Sequence, residues 1–123
     1  NLNKIKKLKN VYLLGYRNYK SLPSYCAYFD VAWLPLIHNN YTKSMFPMKF
    51  FEYLAAGLPV VSTDLESIRE FNKLVAITDD ISKIKISIIE ALENKDFNLK
   101  NRLSLAMENT YQKRTKKMLM ELN

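Results

Sequence analysis

A chain of 123 residues, 48% of them hydrophobic and with 19 Lys and Arg against 12 Asp and Glu for a formal net charge of +7, is long enough for one hydrophobic core and too apolar for a disordered segment. Its longest apolar run, Val31 to Ile37, falls far short of the roughly 18 residues that a membrane-spanning helix needs. With Cys26 and His38 the single residues of their kinds, an internal disulfide and a Cys/His zinc cluster are both excluded.

The first ten residues hold Lys4, Lys6, Lys7 and Lys9 and no acid; they contain no apolar signal core, so a cytoplasmic protein is expected. From Val11 onward short apolar runs alternate with longer amphipathic ones, the pattern of a parallel sheet with crossover helices. Val11-Tyr12-Leu13-Leu14 is predicted as a strand ended by Gly15. A helix capped by Ser21, with Pro23 in its first turn, is predicted through Tyr25, Ala27, Tyr28 and Phe29, burying Cys26. Val31 to Leu34 is the next strand, stopped at Pro35, and a polar loop follows from His38 to Ser44. A second helix runs from Pro47 to Ala56 and ends at Gly57, with Pro59 as a stop signal and Pro59 to Ser62 as a third strand.

Thr63-Asp64-Leu65-Glu66 has capping-box spacing, which predicts a short helix from Leu65 to Phe71. Leu74 to Ile77 is a fourth strand, and Asp79 or Asp80 caps a helix through Ile84, Ile88, Ala91 and Leu92. Leu99 to Leu122 reads as one long helix with Leu99, Leu103, Met107, Tyr111 and Met118 on a single stripe. Residues 95–123 carry seven basic side chains against three acidic, whereas 11–94 hold eight against nine, so the basicity belongs to the two ends. Nucleic-acid binders usually interleave Arg with exposed aromatics, and the dominance of lysine here favours a solvated face, or one turned to anionic lipid, over a nucleic-acid surface.

The segment from Asn39 to Gly57 carries the chemistry. Its helix is apolar on nearly every side (Met48, Phe50, Phe51, Tyr53, Leu54), so it is predicted to be buried. Its two charges, Lys49 and Glu52, lie three apart on one face, and a polar stripe on a buried helix must look into something wet or polar. Lys49 also sits in the first turn, where the helix dipole disfavours a cation by roughly 0.3–1 kcal/mol. Two readings stay open: an anion held at the helix start on the carboxyl edge of the sheet, or a plain Lys–Glu pair with no ligand.

At these residues the chain resembles the group 1 glycosyltransferases, two-domain enzymes of the GT-B fold that use nucleotide-sugar donors. The resemblance runs from about Asn10 to the C-terminus and is carried by Phe29-Asp30-Val31, by the block from Pro47 to Val61, and by Asn109-Thr110-Tyr111-Gln112-Lys113-Arg114. It implies the second half of a Rossmann-like, donor-binding C-terminal domain. On that footing residues 1–123 are expected to be a single truncated α/β domain, without that domain's first strand and helix and without the preceding acceptor domain. Marginal stability, and no transfer by the chain in isolation, are expected of such a piece.

By the same resemblance Glu52 hydrogen-bonds both hydroxyls of the nucleotide ribose, while the amides around Met45 and Phe46, with Lys49, lie against the diphosphate. Many members carry a first glutamate seven residues before the second; here Ser44 stands in that place, and Met45 and Phe46 replace the glycines usual after it. This looks like a variant in which Asn39, Thr42 and Ser44 line the donor pocket instead. Gly15-Tyr16-Arg17 resembles the turn near the nucleobase, where Tyr16 or Arg17 packs on or bonds to the base, although each taken singly fits a surface turn better. His38 is read as a loop residue, because the resemblance leaves the catalytic residues of the acceptor side to the other domain, and Asp64 is read as a cap rather than a sugar ligand.

The activity implied is transfer of a sugar from a UDP- or GDP-linked donor to a glycan or lipid-linked acceptor in cell-surface polysaccharide synthesis. The resemblance further implies retention at the anomeric carbon and no metal or other cofactor. The lysine-dominated charge speaks against a nucleic-acid partner, and the basic C-terminal helix is expected to be a solvated face by default, with peripheral contact with the inner face of a membrane as the alternative. The rival reading is a non-catalytic α/β module that binds a nucleotide or a protein partner.

Overall fold

The computed structural model describes residues 2–121. Three short strands, Ala32–Leu34 (β1), Val60–Ser62 (β2) and Ala76–Ile77 (β3), pair in parallel in the order β1-β2-β3. Ala32 lies opposite Val60 and Leu34 opposite Ser62, while Val61 faces Ala76. Helices flank this sheet, giving the α/β, Rossmann-like arrangement expected of alternating apolar runs and amphipathic segments. In chain order they are Leu2–Ile5 (α1), Leu22–Cys26 (α2), Asn40–Ser44 (α3), Lys49–Ala55 (α4), Ile81–Glu93 (α5), Leu99–Glu108 (α6) and Tyr111–Glu121 (α7).

The core forms where α4 meets the sheet. Phe50 and Leu54 are fully buried and join Leu34, Val60, Leu65 and Ile68 in one cluster, each such side chain stabilising the fold by about 1.5–3 kcal/mol relative to exposure. Phe46, Phe50, Phe51 and Phe71 pack ring against ring, Phe46 stacked on Phe51 at 4.9 Å. α4 and α5 both pack on β2, and α6 packs on α4. The chain leaves α4 through Gly57 at φ +77, with the Gly57 N–H donating to the Leu54 carbonyl and the Leu58 N–H to the Tyr53 carbonyl, both at 3.0 Å. That pair of bonds is a Schellman cap, and it needs the left-handed conformation that glycine adopts freely.

Several expected elements change. Val11 to Leu14 forms no strand: Tyr12, Leu13 and Leu14 are 80%, 49% and 44% exposed, and among the described residues nothing pairs them to the free edge of β1. A parallel strand is stabilised by cover on both faces, which this stretch lacks. The helix expected through Phe29 stops at Cys26, because Tyr28 and Phe29 close short bonds to the carbonyls of Tyr25 and Cys26 instead of continuing. Ser21 does not cap it; Asn18 caps a 3-10 turn at Tyr19–Ser21 that leads into it, and Cys26 is half-buried.

The loop expected from His38 to Ser44 contains α3, nucleated by a capping box of Asn39 and Thr42. The Thr63–Glu66 box does not form. The Thr63 hydroxyl donates instead to the Leu36 carbonyl at 2.9 Å and accepts from the Leu36 N–H, tying β2's exit to β1's, and Glu66–Phe71 coil as a 3-10 helix. Asp80, not Asp79, caps α5, accepting from the Ser82 N–H at 2.9 Å. The single long C-terminal helix is two. The Asn109 side chain folds back on the Leu105 carbonyl, ending α6, and the Thr110 hydroxyl accepts from the Lys113 N–H to start α7; Leu122, the end expected for that helix, lies outside the described residues.

Candidate functional site

α4 buries Phe50, Phe51 and Leu54 on one side, and with 3.6 residues per turn this places Lys49, Glu52, Tyr53, Ala55 and Ala56 on the wall of a cleft. The opposite wall is the segment from Leu14 to Phe29, including Gly15, Arg17, Tyr19, Tyr25 and Cys26, and the volume enclosed is about 570 Å³. Gly15 turns the chain at φ +69, bringing Arg17 back toward α2. Arg17 is held there by its Nε donating to the Tyr25 hydroxyl at 2.8 Å and by the Tyr16 carbonyl at 3.0 Å, with the guanidinium over the Tyr25 ring. No carboxylate neutralises it in these contacts.

On the α4 wall the Lys49 Nζ donates to Glu52 Oε2 at 2.7 Å. That hydrogen bond raises the Lys49 pKa above its ordinary value against the opposing effect of burial. It also answers the unfavourable dipole at the helix start locally. The pair is partly open to water, so its worth to stability is a few tenths of a kcal/mol at most, about 0.3–0.5; its consequence is to fix where the two charges stand. The Glu52 carboxylate in turn raises the Tyr19 phenol, with smaller contributions from burial and from Tyr111. Burial raises both the Cys26 thiol and the Tyr53 phenol, so neither is activated as a nucleophile.

The remaining expected site residues lie elsewhere. Asn39 and Thr42 border a second, more polar cleft of about 350 Å³ with His38, Lys43, Asp64, Glu66 and Arg69, but both side chains are engaged in the capping box and the Thr42 hydroxyl also donates to the Ile37 carbonyl at 2.7 Å. Ser44, Met45 and Phe46 line neither cleft: the Met45 carbonyl accepts from the Ser67 hydroxyl at 3.1 Å and the Phe46 ring is stacked in the aromatic cluster. Tyr16 is 92% exposed and outside the cleft wall. The structure thus gathers Glu52, Lys49 and Arg17 and separates them from Asn39 and Thr42.

Asp64 is not a cap. Its carboxylate takes Arg69 through two bonds at 2.6 and 3.1 Å, raising the Arg69 pKa. His38 Nε2 meets Asp79 Oδ1 at 2.9 Å, and the same oxygen accepts the Asp64 N–H; the His38 contact, then the backbone bond, holds the Asp79 carboxyl below its usual range. These contacts tie the exits of β1, β2 and β3 together. Among the described residues no three His, Cys, Asp or Glu side chains come together as a metal site, and no helix is long and apolar enough to cross a membrane.

Tyr19, Tyr25 and Tyr53 are cleft residues that the sequence did not single out. A signal for the first existed in Asn18, whose side chain accepts from the Lys20 N–H and sets the 3-10 turn that brings Tyr19 to the cleft.

A family model described as glycosyl transferases group 1 matches residues 1–94. TuaH of Bacillus subtilis (strain 168), whose name assigns it provisionally to teichuronic acid biosynthesis as a glycosyltransferase, is 39% identical over 67 residues, 54% of this chain but 17% of that protein. No solved structure matches.

Proposed function

The chain belongs to the group 1 glycosyltransferases, and on that premise we propose that the cleft along α4 holds the nucleoside diphosphate of a sugar donor, within an enzyme that passes the sugar to a glycan or lipid-linked acceptor. The observation that carries this reading is the meeting of Lys49 and Glu52 on one wall of a cleft whose other wall presents Arg17. Glu52 keeps one oxygen on Lys49 and offers the other to the ribose hydroxyls. Lys49, beside it, faces the diphosphate, whose charge grows as the bond to the sugar breaks; a fixed cation there lowers the energy of that charge more than that of the intact donor. Arg17 and the aromatic rings of Tyr19 and Tyr25 line the wall nearest the Gly15 turn, where the base packs.

The resemblance supports UDP or GDP as the leaving nucleotide, retention at the anomeric carbon and transfer without a metal ion. It also supports a domain role: this chain as the donor-binding part, with the acceptor bound elsewhere in the enzyme. The name of the Bacillus relative favours a cell-surface polysaccharide as the product. The basic, exposed face of α7 fits a location at the inner surface of a membrane, where such acceptors are carried.

NMR titration of the chain with UDP, GDP and ADP tests the site. One nucleotide is expected to saturate, moving resonances of residues 14–19 and 49–56 together. Shifts confined to the polar cleft around Asp64 and Arg69, or none at all, would overturn the donor assignment.

A further inference from the structure

α4 has only seven residues, and Met48, at its N-cap, makes no side-chain capping bond. Its first turn, which carries Lys49, is therefore held by backbone bonds and packing alone. That packing comes from the residues just before it: Pro47 is buried and its carbonyl receives the Phe50 N–H at 2.9 Å, and Phe46 stacks on Phe51 with the rings 9° from parallel. Beside this stack lies Arg114 of α7, its guanidinium nearly equidistant from the two rings, 5.1 Å from Phe46 and 5.3 Å from Phe51. At the other end of the same helix, buried Arg102 of α6 donates to the Gly57 carbonyl at 3.0 Å. The two C-terminal helices thus grip α4 at both ends, and Tyr111, the first residue of α7, comes near enough to Tyr19 to act on its phenol.

The geometry points to Arg114 as a positioning residue for the Lys49–Glu52 pair: by bridging Phe46 and Phe51 it holds the segment before α4 against the helix, keeps its first turn wound, and so keeps the Lys49 ammonium against Glu52 in the cleft. A guanidinium does this better than an ammonium, because its broad, weakly hydrated plane can touch two rings at once. This rests on the donor-site reading for its functional consequence, but not for its structural one. Arg114 touches no ligand; it acts through Phe46.

The test is a cycle of Arg114→Met, Phe46→Leu and the double variant in the full chain, with Arg114→Lys as the conservative form and Lys117→Met on the same helix as a control. Two quantities are read well below the melting midpoint of every variant: the dissociation constant for UDP and GDP, and the ¹H–¹⁵N resonance of the Lys49 ammonium without nucleotide. Arg114→Met is expected to weaken nucleotide binding about fivefold and to shift the Lys49 resonance, with no further loss in the double variant, partial recovery in Arg114→Lys and no change in Lys117→Met. Unchanged binding and an unmoved Lys49 resonance in Arg114→Met would overturn the proposal. If the unmodified chain binds no nucleotide, the donor reading fails separately, and the Lys49 resonance alone decides whether Arg114 positions the pair.

Discussion

The two walls of the α4 cleft are built differently. The wall that carries Lys49 and Glu52 belongs to a helix whose far side is the core, closed by a Schellman cap at Gly57, held from α6 by Arg102 and from α7 by Arg114. The facing wall, from Leu14 to Phe29, is a chain with one short helix and a 3-10 turn, largely exposed, and without a strand to anchor it. On the donor reading proposed above, the groups that would meet the ribose and diphosphate stand on this rigid wall, and those that would meet the variable base stand on the adaptable one. This is the division expected where recognition and selectivity are carried by different elements.

The strongest way to break the contrast is to loosen the rigid wall from behind. Arg102 is 2% exposed and donates to the carbonyls of Gly57, Lys95 and Phe97; burial pushes its pKa down while Asp96 pulls it back up, and its Nε finds no partner. Arg102→Met strands three carbonyls and is expected to cost about 3 kcal/mol in urea denaturation. Gly57→Ala comes next, at about 1–2 kcal/mol, since the residue sits at φ +77 and a Cβ there would stand 3.1 Å from Leu99 Cδ1; a variant as stable as the parent would mean that the Schellman cap is not what fixes α4's end. On the adaptable wall Arg17→Ala should leave stability within about 0.5 kcal/mol and weaken nucleotide binding about threefold, an effect that fades as salt is raised. A salt-independent loss would place Arg17 in the fold and not at the ligand.

The same contrast governs how much could be read from the sequence. Pro47 to Ser62 was legible because burial, capping and chain punctuation agree there: an apolar helix, Gly57, Pro59 and a Val-Val strand each point to one structure. Val11 to Leu14 has strand-like residues, but propensity alone cannot supply a neighbour or a covered face. The missed break at Asn109-Thr110 was written in the residue types, an end-of-helix Asn followed by a capping Thr, and the apolar stripe running across both helices concealed it. Arg102 counted with the basic C-terminal surface in the composition, whereas the fold uses it inside, and no periodicity distinguishes the two. At the site, the shared face of Lys49 and Glu52 followed from helical spacing, but the engagement of Asn39 and Thr42 in a capping box depended on a helix that the polar run did not announce.

The central claim is that Glu52 holds the ribose of a nucleoside diphosphate. It is tested most directly by calorimetric titration of the nucleotide that binds and of its 2′,3′-dideoxy analogue into the parent chain and into Glu52→Ala. If Glu52 accepts the ribose hydroxyls, their removal weakens binding to the parent by about tenfold or more, as charge-assisted hydrogen bonds do, and makes no difference to Glu52→Ala. An equal penalty in both proteins, or none in the parent, would contradict it.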